Sequence, residues 1–253
     1  MTDSSSNTTK NRNEKPDSID AIFFDAGNTL LKAKPSVASI YHRVASGRGI
    51  NRTADEIERA FEREWQRVRE SSGFMSEAAG RGQQVEKSWW KEFVRRVFER
   101  FGPVDDFDGF FDELYDTFAR PESWELFPEV EGVLSELQSR GYKLGIISNW
   151  DSRLTGILHG LEIDRFLSEI VISSQVGFEK PDARIFLLAA ERIGKPPAKV
   201  AHVGDDPVLD YRGALEAGLI PFLLDRAGGD HRDLRTISDL SELLDGLKSY
   251  PSV

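Results

Sequence analysis

The chain has 253 residues, 39% of them hydrophobic and 30% charged, with a formal net charge of −10. That length can bury a core of one large α/β domain, or a core domain plus a smaller one, while the acidic balance argues against nucleic acid or an anionic membrane as partner. The absence of cysteine excludes disulfides, thiolate chemistry and cysteine-ligated zinc, and no apolar run approaches the length of a membrane span.

Residues 1–18, MTDSSSNTTKNRNEKPDS, are polar and lack the apolar stretch of a signal peptide. They are expected to form a disordered tail on a cytoplasmic protein. Ala21 to Phe24 then reads as a short buried strand, followed by the turn DAGNT. From 36 to 120 the pattern is helical, with ADEIERAFEREWQRVRESS, VEKSWWKEFVRRVFERF and DGFFDELYDTFARP amphipathic at helical spacing. This predicts a four-helix cap inserted after the first strand of an α/β core made of 19–35 and 121–253. The aromatics Trp65, Trp89, Trp90, Phe93, Phe98, Phe101, Phe110 and Phe111 are expected to fill the cap's own core rather than to cage a ligand. The loop segment 71–88 is the expected seat of specificity.

Beyond the cap, apolar runs at Lys143–Ser148, Glu169–Ser173, Lys199–Val203 and Ile220–Leu224 read as buried parallel strands. Helical patterns lie between them at Pro128–Ser139, Asp151–Leu161, Asp182–Ile193 and Asp210–Ala217. Alternation of this kind predicts a doubly wound parallel sheet, whose ligand lies beyond the carboxyl ends of the strands.

At those ends stand Asp25, Gly27, Asn28 and Thr29 after the first strand, and Ser148, Asn149 and Asp151 after the second. Lys180 follows the third, and Asp205, Asp206 and Asp210 follow the fourth. Carboxylates crowded together repel unless a cation neutralises them. Mg²⁺ takes one or two carboxylates, waters and a substrate phosphate, and a carboxylate nucleophile needs its target's charge screened.

The runs FFDAGNTLL, IISNWD, GFEKPD and HVGDDPVLDYRGALEAG, in this order and strand context, resemble the four motifs of the haloacid dehalogenase-like hydrolases. The helical insertion stands where that superfamily places its type 1 cap, and the closest resemblance is to the rhythmically-expressed-gene-2-like subgroup. The resemblance implies a phosphatase acting on a small phosphorylated metabolite. Asp25 would be the nucleophile and Lys180 its charge partner. Ser148, Asn149 and Thr29 would serve the phosphoryl group. Asp25, the Gly27 carbonyl, Asp205 and Asp206 would hold Mg²⁺, with Asp210 and Asn28 in support. The expected partner is a small molecule, not nucleic acid or membrane, and the chain is expected to be a monomer or homodimer.

One position departs from the phosphatase pattern. The second aspartate of motif I, which protonates the leaving group, is here Gly27. General acid help is worth ~10²–10⁴-fold, so two alternatives stand beside the phosphatase: a metal-independent 2-haloacid dehalogenase, whose halide needs no proton, and a binding protein with impaired catalysis. Burying Asp205 and Asp206 without a cation would be costly, which favours the Mg²⁺ reading. His202 is expected to be a packed core histidine. His42 either faces the substrate or lies on a helix surface, and Trp150 and Arg153 either border the phosphate site or pack the following helix.

Overall fold

A computed structural model describes residues 18–70, 82–231 and 233–249. In chain order, β1 (Ala21–Phe24) and β2 (Leu31–Ala33) lead into α1 (Val37–Gly47), α2 (Ala54–Glu70), α3 (Gln83–Glu99) and α4 (Phe107–Ala119). The chain returns through β3 (Trp124–Leu126), α5 (Val130–Ser139), β4 (Lys143–Ser148), α6 (Arg153–Gly160), β5 (Leu167–Ile172), α7 (Ser173–Val176) and α8 (Ala183–Ile193). It ends with β6 (Val200–Gly204), a π-helical turn at Pro207–Arg212, α9 (Gly213–Glu216), β7 (Ile220–Leu224), β8 (Thr236–Ile237) and α10 (Leu243–Gly246).

Six strands form one parallel sheet in the order β5-β4-β1-β6-β7-β8. Every residue of β1 is buried, because helices cover both faces. Successive side chains point to opposite faces, so Ile22 and Phe24 join one core with Leu134, Leu137, Ile146 and Leu154. Ala21 and Phe23 join the other, with Ile185, Phe186 and Ala190. Register aligns Phe24 with Ile146 on β4 and with Val203 on β6, so the three strands end within two residues of one another. The residues that follow them therefore converge.

The four inserted helices build a separate core from Tyr41, Val44, Ile57, Phe93, Phe98, Phe110 and Leu114. Ser36 caps α1 by accepting the Ser39 N–H, and Asp106 caps α4 by accepting that of Gly109. Both chain crossings run side by side: β2 pairs antiparallel with β3, and Lys34 N donates to the Ser123 carbonyl at 2.8 Å. These two strands are absent from the sequence reading because three residues are too few to show a period. Among the described residues no helix is long and apolar enough to cross a membrane.

Two expectations need correction. Gln83 to Ser88 belongs to α3, not to a specificity loop, and 71–81 lies outside the described residues, as does nearly all of the expected tail. The helix expected at Asp210–Ala217 divides into the π-helical turn and α9. Asp206 Oδ1 accepts the N–H groups of both Val208 and Leu209 and so starts the turn early, before Pro207.

Candidate active site

Asp25 stands one residue beyond β1, its N–H donating to the Val203 carbonyl at 2.8 Å. Its Oδ1 accepts from Lys180 Nζ at 2.6 Å and from Ser148 Oγ at 3.1 Å. Lys180 is fixed from behind by Asn149: the Lys180 N–H donates to Asn149 Oδ1 at 2.8 Å, and Asn149 Nδ2 donates to the Lys180 carbonyl at 2.9 Å. The same ammonium donates to Asp210 Oδ1 at 2.6 Å, which also lies 2.8 Å from His202 Nε2. Asp210 Oδ2 accepts the Asp206 N–H at 3.1 Å. Gly204 makes room for this carboxylate, since a Cβ there would lie 2.1 Å from Asp210 Cγ.

Charges do not balance in this group. Asp25, Asp205 and Asp210 each place one oxygen within 4.8 Å of the others, and Lys180 is the buried ammonium among them. Burial works against the Lys180 charge, but Asp210 and Asp25 outweigh it and hold its pKa above the usual lysine range. Burial also opposes the Asp210 charge, yet Lys180 and His202 together keep that pKa below the ordinary carboxylate range. Asp25 moves the other way, raised first by desolvation and further by Asp210, against the pull of Lys180. Asp205 is pushed up to about 7 by burial and by the neighbouring Asp25 and Asp210 charges. A hard divalent cation between Asp25 and Asp205 would relieve this crowding, and the all-oxygen donor set suits one. Asp210 has both oxygens engaged and is not the natural ligand.

Other expected residues lie elsewhere. Asp206 turns away from the cluster: its Oδ1 caps the π-helical turn, and its Oδ2 faces Arg69 of α2 at 3.4 Å. Thr29 is fully buried outside the cavity lining, and only its carbonyl is engaged, by Arg226 at 3.1 Å. Asn28 lines the cavity with a left-handed backbone (φ 58°) that lets its N–H reach the Leu31 carbonyl. Asn149 lines it too, although its amide is spent on the Lys180 backbone. His42 does not face the cavity; its Nδ1 lies 2.7 Å from the Arg52 carbonyl, and its neighbour Tyr41 takes the inward position. His202 is fully buried against Phe186, as expected of a core histidine.

Trp150 and Arg153 both border the cavity. Arg153 forms a two-pronged ion pair with buried Asp151, at 2.8 and 2.6 Å, and lies over the Tyr115 ring. Trp90 Nε1 from the cap donates to the same Asp151 at 2.6 Å, and Glu86 of the cap accepts from the Ser152 hydroxyl at 2.6 Å. Trp150 packs edge-on against Trp124 and reaches Gly27, where an added Cβ would lie only 3.2 Å from its ring. A side chain at position 27 would therefore need the indole to give by a few tenths of an ångström.

Cap and core enclose a cavity of about 320 Å³. The aromatics pack in the cap core as expected, and Trp65, Trp90 and Phe111 line the cavity as well, joined by Phe61 and Phe118. The signal available in sequence was the spacing of Phe61 and Trp65, four apart on one helix, but this is also how a core face is written.

Fold and site define a class: a doubly wound α/β enzyme with a helical insertion above an acidic cluster at the strand ends. Residues 19–218 match the family model described as haloacid dehalogenase-like hydrolase. The chain belongs to this family of hydrolases. It is 35% identical over 215 residues to haloacid dehalogenase-like hydrolase domain-containing protein 3 of Danio rerio, covering 84% of this chain and 88% of that one. It is 27% identical over 208 residues to the rhythmically expressed gene 2 protein of Drosophila melanogaster, covering 78% and 79%. A glyceraldehyde 3-phosphate phosphatase of Methanothermobacter thermautotrophicus is 37% identical over 132 residues, 46% of this chain and 56% of that one. In fold the chain is similar to the putative HAD-hydrolase YfnB from Bacillus subtilis, solved bound to magnesium, with TM-score 0.75 at 18% identity over 91% and 99% of the two chains.

Proposed function

We propose that the protein is a Mg²⁺-dependent phosphohydrolase acting on a small phosphorylated molecule through Asp25. The observation that carries this reading is the pairing of buried Asp25, oriented by Lys180 and Ser148, with a second, half-buried carboxylate, Asp205, within 4.8 Å of it, whose charge no side chain in the cluster fully offsets. Asp25, Asp205 and the Gly27 carbonyl would hold the cation, which when bound screens phosphoryl charge and orients the ester. Asp25 Oδ1 is already engaged, leaving Oδ2 to attack phosphorus and form an aspartyl-phosphate. Lys180 and Ser148 would stabilise the phosphoryl oxygens, and Asn149 acts through Lys180 by fixing its backbone. The cap would exclude bulk water above them on closing. Magnesium bound to the YfnB structure and the phosphatase name of the Methanothermobacter relative support this reading.

Asp25→Asn is the test. Mg²⁺-dependent hydrolysis of acetyl phosphate is expected to fall by about 10³-fold or more, as for loss of a covalent nucleophile; undiminished turnover would remove Asp25 from the mechanism. A second reading, a 2-haloacid dehalogenase, is favoured by Gly27, which offers no general acid where a halide would need none. Halide release from a 2-haloacid that needs no divalent cation would establish it instead.

A further inference from the structure

We propose that the substrate is an aryl phosphate monoester, whose ring lies in the aromatic half of the cavity and leaves as an unprotonated aryloxide. This rests on the phosphohydrolase reading and specifies its leaving group. Two independent features point the same way.

The first is what lines the cavity away from the acids. Tyr41, Trp65, Trp90, Phe118, Trp124 and Trp150 present ring surface there. The charged side chains that reach it are already engaged: Arg153 with Asp151, Arg69 with Asp206, and Lys32 with Glu125. A sugar or polyol phosphate would bring several hydroxyls to a surface that is mostly ring and offers few partners beyond Asn28 and the Tyr41 hydroxyl. A benzene ring fits a cavity of ~150 Å³, so about 320 Å³ holds one ring with a phosphoryl group.

The second feature is Gly27. No carboxyl stands there to protonate a departing oxygen, and Trp150 packs close by, 3.2 Å from where a Cβ would lie. In the first step Asp25 Oδ2 forms the bond to phosphorus while the bond from phosphorus to the ester oxygen breaks, its electron pair staying on that oxygen. A phenol gives up its proton near pH ~10, so phenolate can depart without protonation. An alkoxide, as basic as hydroxide from water of pKa ~16, departs poorly without a donor. Water then attacks the aspartyl-phosphate and releases inorganic phosphate and Asp25. Ring recognition and acid-free departure thus select the same class of ester.

The full chain should be assayed with Mg²⁺ on acetyl, phenyl, benzyl and ethyl phosphate, and titrated with phenylphosphonate and methylphosphonate by tryptophan fluorescence. Acetyl phosphate, which has neither ring nor need of an acid, reports the parent reading. The proposal expects kcat for phenyl phosphate to exceed that for benzyl phosphate by ~10²-fold or more, the general-acid contribution. Benzyl phosphate should nonetheless compete with phenyl phosphate more strongly than ethyl phosphate does. Phenylphosphonate should bind at least about tenfold tighter than methylphosphonate, from ring burial and stacking. Turnover of acetyl phosphate with ethyl and phenyl phosphate used equally, or equal binding of the two phosphonates, overturns the aryl assignment and leaves the hydrolase standing. No Mg²⁺-dependent turnover of any ester overturns both.

Discussion

Gly27 and Trp150 have to be changed together to be understood. Gly27→Asp alone places a Cβ 3.2 Å from the indole, which must give by a few tenths of an ångström before the carboxyl can take its place. The single variant is expected to gain less than tenfold on ethyl phosphate, and Gly27→Asp with Trp150→Thr to gain about 10²-fold or more. Equal gains from both would show that the indole is no obstacle. Asp205 makes a second prediction. Its pKa of about 7 lies above the ordinary carboxylate value, so its proton stabilises the cation-free fold fully below about pH 4, and that contribution is lost as pH rises through 7. Added Mg²⁺ must therefore raise the thermal midpoint more at pH 8 than at pH 5.5; equal shifts would place the cation elsewhere. Asp25, Lys180 and Asp205 were legible in sequence because each follows a buried strand, and β-strands in register bring their ends together. The roles of Asn149 and Asp206 were not legible. A short amide or carboxylate bonds to whichever backbone group the tertiary fold presents, and here Asn149 meets Lys180 while Asp206 caps its own turn.

Among the elements, α3 and the loop before α6 carry the closest bond between cap and core. Asp151 is fully buried and receives Arg153 from below and Trp90 from above. Asp151→Ala strands the Arg153 guanidinium without its partner and is expected to cost ~3–5 kcal/mol in denaturant unfolding. Trp90→Phe removes the Nε1 donor and part of the ring stack on Trp65 and Trp89 while the ion pair stays, so its cost should be ~1–2 kcal/mol, with the change seen mainly as a higher KM. A cost for Asp151→Ala below that of Trp90→Phe would mean the ion pair contributes nothing. The principal strands were readable because their residues are buried on both faces; β2 and β3 were not, since pairing with each other, rather than any internal period, makes them strands. The cavity-facing aromatics shared this difficulty, since the same helical spacing serves a packed core and a wall.

The molecule as a whole joins an acidic, rigid sheet end to an aromatic helical roof, and each contributes a different part of the substrate space. That division lies along the β2–β3 ribbon, where the insertion leaves and rejoins the core within one hydrogen bond, Lys34 to Ser123. A stretch of chain whose two ends already touch adds no gap for the remainder to bridge, and lengthening it adds only slowly to the entropy of closure. The ribbon is thus a seam for transplantation. The roof of a relative spliced in at these two positions should leave the core's unfolding midpoint close to the parent's while, on the proposed reading, importing the donor's choice of ester; a chimera that keeps the parent's choice would place specificity in the core.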